Sequence, residues 1–438
     1  MAHSHGAGLE RTSQRVVTIV AIVLAAVTAL GVFLLRADDD PHELVDLGLV
    51  SEVYDAEVIR IDEQPCEGTT RQDEITCQNV EFELTQGPDD GDTTTIDFPE
   101  STTTPDLSVG DHVVLSYNPD ADPGFEYQFS DRQRRPALLW LAALFAIAVI
   151  ALGRLRGVAA LAGLGASLVV IIVFMLPAML DGQSPVLVAV FGGSAIAYLA
   201  LYLAHGLKPM TTVALLGTLA ALALAVALAS LFTELAQISG LASEEAVLVS
   251  LSSEIDLTGL VLAGMVVGAL GALDDVTVTQ ASAVSELRAA DPHMSRRRLA
   301  SAGLRIGRDH VASTVNTLAL AYAGAALPLL ILFVLSEQSL GTVANSEVIA
   351  VEIIAALVGS IGLVAAVPLT TWLAVAVVKG PMVDDWLPPI PESHEGRPAP
   401  DAHAELEPAP EPRSRRRRER EPTKPIDAPV DRDFWDDD

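Results

Sequence analysis

Two adjacent aspartates, Asp274 and Asp275, lie in an otherwise apolar stretch, GALDDVTVTQASAV, which covers residues 271–284. A carboxylate at the centre of a lipid bilayer costs at least about 2.5–3.5 kcal/mol, so such groups usually pair with a polar partner or serve an ion or proton path. Thr277 and Gln280 continue the polar character beyond them. The sequence therefore predicts ion binding or proton transfer at these four residues.

A second polar cluster opens the apolar stretch that follows, in GRDHVASTVNTLALAYAG. Asp309, Ser313 and Asn316 fall at positions i, i+4 and i+7, which share one helical face. Such a face can hold helices together through hydrogen bonds or can line a path. If the two stretches are antiparallel neighbours, an aspartate of the first can meet a histidine or arginine of the second. The candidates in this cluster are Arg308, Asp309, His310 and Asn316.

The two aspartates cannot occupy one site on a regular helix, because neighbouring helical residues point about 100° apart. VTVT is a poor helix-forming sequence, so we expect a break or re-entrant bend at Asp274, where irregular backbone would line a cavity. The alternative is that the helix simply ends there and the carboxylates lie at the membrane surface.

The sequence contains no recognisable catalytic motif: the HExxH, GxSxG and P-loop patterns are all absent. An intramembrane aspartyl enzyme would need two aspartates from different helices, and only Asp274 and Asp309 qualify. We therefore expect no enzymatic activity and no cofactor or metal.

Eight apolar stretches are long enough to cross a bilayer as helices. They are residues 16–35, 137–153, 157–176, 185–204, 210–232, 258–277, 314–335 and 350–378. The last is long enough to tilt, or to be broken at Pro368. A face of small residues in the sixth, Gly264, Gly268 and Gly271, favours close approach of another helix.

Basic residues favour the cytoplasmic loops of a membrane protein. Arginines crowd the loop between the sixth and seventh stretches, including Arg288 and Arg305, whereas alternate loops carry acids such as Glu234 and Asp256. This asymmetry predicts that both termini are cytoplasmic and that residues 37–135 lie on the outer side.

Residues 37–135 alternate apolar and polar positions in four or five short segments separated by turn signals, which indicates a small all-β domain. An OB-like or SH3-like barrel is our first choice for its fold. It holds 26 Asp and Glu against five Lys and Arg, and this accounts for most of the chain's net charge of −30 without a nucleic-acid partner.

Cys66 and Cys77 are the only cysteines of the chain, and both lie in this outer domain. We predict that they form a disulfide bond. A reactive dithiol is the alternative, but the pair lacks the CxxC spacing and a nearby basic group.

The predicted chain thus comprises an α-helical membrane bundle of about eight spans with a small extracytoplasmic β domain between spans one and two. The proline-rich tail, with its RSRRRRER run, is expected to be disordered. The predicted parts are 1–36 (cytoplasmic start and signal anchor), 37–135 (β domain), 136–378 (seven-span domain) and 379–438 (cytoplasmic tail).

The segments GALDDVTVTQASAV and GRDHVASTVNTLALAYAGAALPLLILF resemble paired signatures of the YibE/F-like family of bacterial membrane proteins. The resemblance covers roughly residues 137–378. It implies a multi-span protein of the bacterial plasma membrane, in which both polar clusters belong to one membrane unit. It supplies no catalytic or substrate residues.

Two hypotheses follow. The first is a transporter or permease-like protein, in which the polar faces of spans six and seven line a proton- or ion-coupled path. The second is an envelope scaffold or assembly protein that binds a partner through its β domain. The candidate partners are the lipid bilayer, an envelope protein and a second copy of the chain.

The orientation can be tested with single cysteines introduced at Thr103 and Ser414. In intact cells, a membrane-impermeant thiol reagent should label the cysteine at 103 and leave the one at 414 unlabelled. The unsubstituted chain is the control, because its own cysteines are expected to be bonded. The reverse labelling pattern would overturn the orientation.

Overall fold

The computed structural model of the chain describes residues 4–37, 52–65, 76–99, 104–122, 124–242, 244–252, 255–336 and 338–378. The predictions made for Cys66 and for the tail 379–438 lie outside these residues.

Twelve helices are present in the described parts of the chain. They are α1 Ser4–Leu34, α2 Arg135–Gly153, α3 Leu155–Val169, α4 Leu176–Leu180, α5 Pro185–His205, α6 Pro209–Leu235, α7 Glu244–Ser252, α8 Leu257–Ala290, α9 Arg296–Ala325, α10 Leu327–Leu335, α11 Leu340–Asn345 and α12 Glu347–Val377. A π-helical segment, Val170–Met175, connects α3 to α4.

Seven helical stretches are long and apolar enough to cross a membrane: α1, α2, α3 with α4, α5, α6, α8 and α12. The eighth expected span consists of α9 and α10, which are bent by 60° relative to each other. The bend falls where Pro328 lies in the first turn of α10. Proline lacks the amide hydrogen that would continue the helical ladder, so a kink at this point has a direct physical cause.

The helix break expected at Asp274 is wrong, and so is the alternative of a break at Pro368 in the last apolar stretch. The helix α8 continues through Asp274 as far as Ala290, and α12 continues through Pro368 as far as Val377. Both helices are packed along their length in the centre of the bundle, and packing overrides weak local propensity.

The centre of the bundle is formed by α6, α8 and α12, which contact one another along one hydrophobic core. Small residues permit this close packing. A Cβ added at Gly217 of α6 would lie only 2.2 Å from the Thr370 hydroxyl of α12. Leu273 of α8 and Leu363 of α12 are fully buried in the same core.

Five antiparallel strands in the described part of residues 52–132 form the β domain as a curved half-barrel sheet. They are β1 Glu52–Pro65, β2 Thr76–Leu84, β3 Thr93–Pro99, β4 His112–Tyr117 and β5 Tyr127–Arg132, in the order β3-β2-β1-β4-β5. One face buries Val58, Phe82 and Leu115 completely. The alternating polar and apolar positions in the sequence therefore mark the two faces of this sheet.

The sheet is tied to the first helix that follows it through Asp55 of β1. This carboxylate accepts a hydrogen bond of 2.6 Å from the side-chain amide of Gln133 and one of 3.4 Å from the guanidinium of Arg135. Since α2 begins at Arg135, these contacts fix the β domain at the start of the helical part.

The strand register supports a test of the disulfide prediction. Cys77 of β2 is buried and pairs with Gln64 of β1, two residues before Cys66 in the chain. We expect the mass of the purified protein to rise by two hydrogens on reduction, and two thiols to become available to alkylation only then. Alkylation of both thiols without reductant would contradict the prediction.

Candidate functional site

The adjacent carboxylates lie on different faces of the unbroken helix α8. Asp274 is partly buried, and its Oδ1 is inaccessible to solvent and has no hydrogen-bond partner within the described part of the chain. Asp275 is exposed, with 68% of its side-chain surface accessible. The two groups therefore have separate surroundings, as the helical geometry requires.

Asp275 faces the helix α9. Its Oδ2 lies 3.9 Å from Nε2 of His310, so an aspartate of the first polar cluster approaches the histidine of the second. This Nε2 makes no hydrogen bond among the described residues, so the contact is an ion-pair distance rather than a made hydrogen bond. Proton transfer between carboxylate and imidazole needs hydrogen-bond distance or a bridging water molecule, so it requires these two side chains to move from the 3.9 Å separation.

The other candidates on α9 do not meet the aspartates. Arg308, Asp309 and Asn316 are exposed, as is Ser313 on the same face. The polar face of α9 therefore points away from the packed bundle. The contacts of α9 with α8 and α12 are made by residues such as Gly303 and Gly307.

Thr277 and Gln280 connect helices instead of facing a cavity. Both are buried, and the hydroxyl of Thr277 lies 2.6 Å from that of Thr218 on α6. The amide nitrogen of Gln280 donates to the carbonyl of Gly303 on α9 at 2.9 Å and to the hydroxyl of Thr371 on α12 at 2.6 Å. One side chain thus joins three helices.

This connection depends on residues that the sequence analysis did not single out. A Cβ added at Gly307 would lie 2.4 Å from Cγ1 of Val367 and 2.7 Å from Oε1 of Gln280. At Gly303 it would lie 3.4 Å from Nε2 of Gln280. The four-residue spacing of the two glycines was the available signal, because small residues at i and i+4 form a flat helical surface.

The predicted close packing at the glycine face of α8 is wrong for two of its three glycines. A Cβ added at Gly264 or Gly271 meets no atom within 4 Å. Only Gly268 is approached, and the nearest atom is the hydroxyl of Tyr322 on α9, 2.9 Å from the added Cβ. The glycine face of α8 is exposed and includes Asp275, so it points away from the packed core.

An open cavity of about 690 Å³ lies at the end of the bundle where α8 and α12 finish and α6 begins. Its lining includes Val278, Ala281, Ser285 and Arg288 of α8. Asp274 lies four residues before Val278, which is about one helical turn, so both residues are on the same face of α8. The cavity therefore ends one turn from the buried carboxylate.

No group of three or more His, Cys, Asp or Glu side chains with metal-binding geometry is found in the described ranges.

Replacing Gly307 with alanine should lower the free energy of unfolding by about 1–3 kcal/mol, because the new methyl group overpacks the contact with Val367 and Gln280. Gly271→Ala is the matched control, since its methyl group meets open space and alanine favours helix by about 1 kcal/mol. Thermal unfolding of the purified variants measures the difference. Equal stability of the two variants would contradict this description of the packing.

Comparison with known families gives one match. The model of the YibE/F-like protein family matches residues 141–380, which is more than half of the chain. No curated protein and no solved structure shows significant similarity to the chain. The matched segment contains both polar clusters and most of the long apolar helices, which together indicate a membrane protein. The chain belongs to the YibE/F-like family.

Proposed function

We propose that this protein is a transporter or permease of the bacterial plasma membrane, coupled to protons or ions through α8 and α9. The observation that carries the proposal is the pair of carboxylates midway along an apolar helix, one of them with a buried oxygen that has no hydrogen-bond partner among the described residues. Burying an ionisable group in such a position costs free energy, so a group of this kind usually marks a functional site. A purely structural role would normally satisfy it with hydrogen bonds.

Each carboxylate has a separate role in this proposal. Asp275 exchanges protons with His310, since imidazole is the side chain suited to proton transfer near neutral pH. Asp274 exchanges protons with water that enters the cavity lined by Val278. The 3.9 Å contact and the lining of the cavity support these two assignments.

The exposed polar face of α9 extends the proposed path away from Asp275. Ser313 and Asn316 lie on this face beyond His310. Hydroxyl and amide groups on a helix of this kind offer successive hydrogen-bonding positions for water. The exposed glycines of α8 leave room for that water beside the helix.

We propose that the outer domain is an OB-like barrel that faces away from the cytoplasm. The central position of β1 between β2 and β4, and the edge-to-face contact of Phe98 on β3 with Phe129 on β5 at 5.7 Å, support a sheet that closes on itself. The second candidate function, an envelope scaffold, is favoured by two exposed apolar loop residues, Val109 and Phe125. Isolated residues of this kind are weaker support than the buried carboxylate.

The transport proposal is tested by Asp274→Asn and Asp275→Asn in a deletion strain. The change removes charge at nearly constant volume, so at least one variant should fail to restore the cellular ion and metabolite contents while keeping its expression and thermal stability. Asp291→Asn is the control, because Asp291 is an exposed carboxylate just beyond the end of α8.

Two other outcomes would contradict the proposal. Loss of stability together with function would assign the aspartates a structural role. Full function in both variants would show that no path requires the carboxylates. Under the scaffold hypothesis, removal of the β domain would abolish function whereas both asparagine variants would retain it.

A further inference from the structure

We propose that the open cavity at the end of the bundle binds the phosphate group of an anionic ligand. The cavity is lined by Arg156 at the start of α3, Lys208 before α6, and Arg288 near the end of α8. None of these three side chains forms an ion pair within the described ranges. The inference stands independently of the transport proposal.

Arg288 is the most informative of the three residues. Only 6% of its surface is exposed, and its Nη1 donates to the carbonyls of Pro292 at 3.0 Å and Met294 at 2.7 Å. Its Nε is buried and has no hydrogen-bond partner among the described residues. Burying a guanidinium without a counter-charge is costly, so this residue indicates that an anion belongs beside it.

The start of α6 faces the same space. Lys208, Pro209, Met210 and Thr211 line the cavity, and the side chain of Lys208 does not cap the helix. The first amide groups of a helix have no intrahelical partner, and the dipole of a long helix places partial positive charge there. Phosphate is a common ligand of such helix ends.

The charge balance of the lining favours an anion. Glu286 is the only acidic residue among the described residues that line the cavity, and it is exposed. Three cations therefore outnumber one carboxylate, and His205 adds a fourth group that becomes cationic on protonation. The hydroxyl groups of Thr211 and Ser285 add donors suited to phosphate oxygens. The same charges disfavour passage of metal cations through this cavity.

The volume of about 690 Å³ lies within the range of small-molecule sites. Two sources of a phosphate group fit this chemistry. One is the headgroup of an anionic phospholipid, because the cavity lies where apolar helices end; the other is a free phosphate-containing molecule.

Binding can be measured by thermal unfolding of the purified full chain in two arms. In the first, inorganic phosphate is titrated in detergent against sodium chloride of equal ionic strength. In the second, the protein is placed in nanodiscs of phosphatidylcholine alone or mixed with phosphatidylglycerol. We expect a higher melting temperature in the presence of phosphate, of phosphatidylglycerol, or of both, and the responding arm identifies the source.

Lys208→Gln should weaken this response roughly tenfold, because it removes one charge-assisted contact. Arg298→Gln is the matched control: it removes an exposed charge from a neighbouring arginine-rich groove that Lys208 does not line. The two variants should melt equally without ligand. No response in either arm, or an equal loss of response in both variants, would overturn the proposal; Arg156→Gln provides a second test if Lys208→Gln does not fold.

Discussion

Successive residues of an α-helix point about 100° apart, and this rule governs the whole candidate site. Because α8 is unbroken, Asp274 and Asp275 cannot act together as one pair of carboxylates. Asp274 shares its face with Val278 and Arg288, which line the cavity, whereas Asp275 approaches His310 of α9. A single helix therefore presents acidic groups to two different environments.

The remaining face of α8 holds this helix in place. Thr277 and Gln280 make hydrogen bonds to α6, α9 and α12, and the glycines of neighbouring helices allow the backbones to come close. Inside an apolar bundle, polar groups must find their partners within the protein. Gln280 does so with its amide nitrogen, whereas Oδ1 of Asp274 has no hydrogen-bond partner in the part of the chain that the structure describes. The rigid contacts position the carboxylates without neutralising them.

The long helices could be predicted from the sequence, because twenty apolar residues in a row have few other stable structures. The end of α8 could not be predicted from the sequence. VTVT has a weak helical propensity, but burial of Val276 and Thr277 against neighbouring helices outweighs it. The Asp–His contact was foreseen only as one of several pairings. The cavity was not foreseen, because Arg156, Lys208 and Arg288 are distant in sequence and only the packed bundle brings them together.

The proposed path requires water to reach the Asp274 face of α8 from the cavity. Cysteines placed one at a time at Ser285, Ala281, Val278 and Asp274 in inverted membrane vesicles test it directly with a membrane-impermeant thiol reagent. We expect reaction at all four positions, with a rate that falls towards Asp274, and no reaction of a cysteine at the buried position Leu270, one turn further along the helix. Reaction that stops at Ser285, with Val278 and Asp274 protected, would contradict the proposed path.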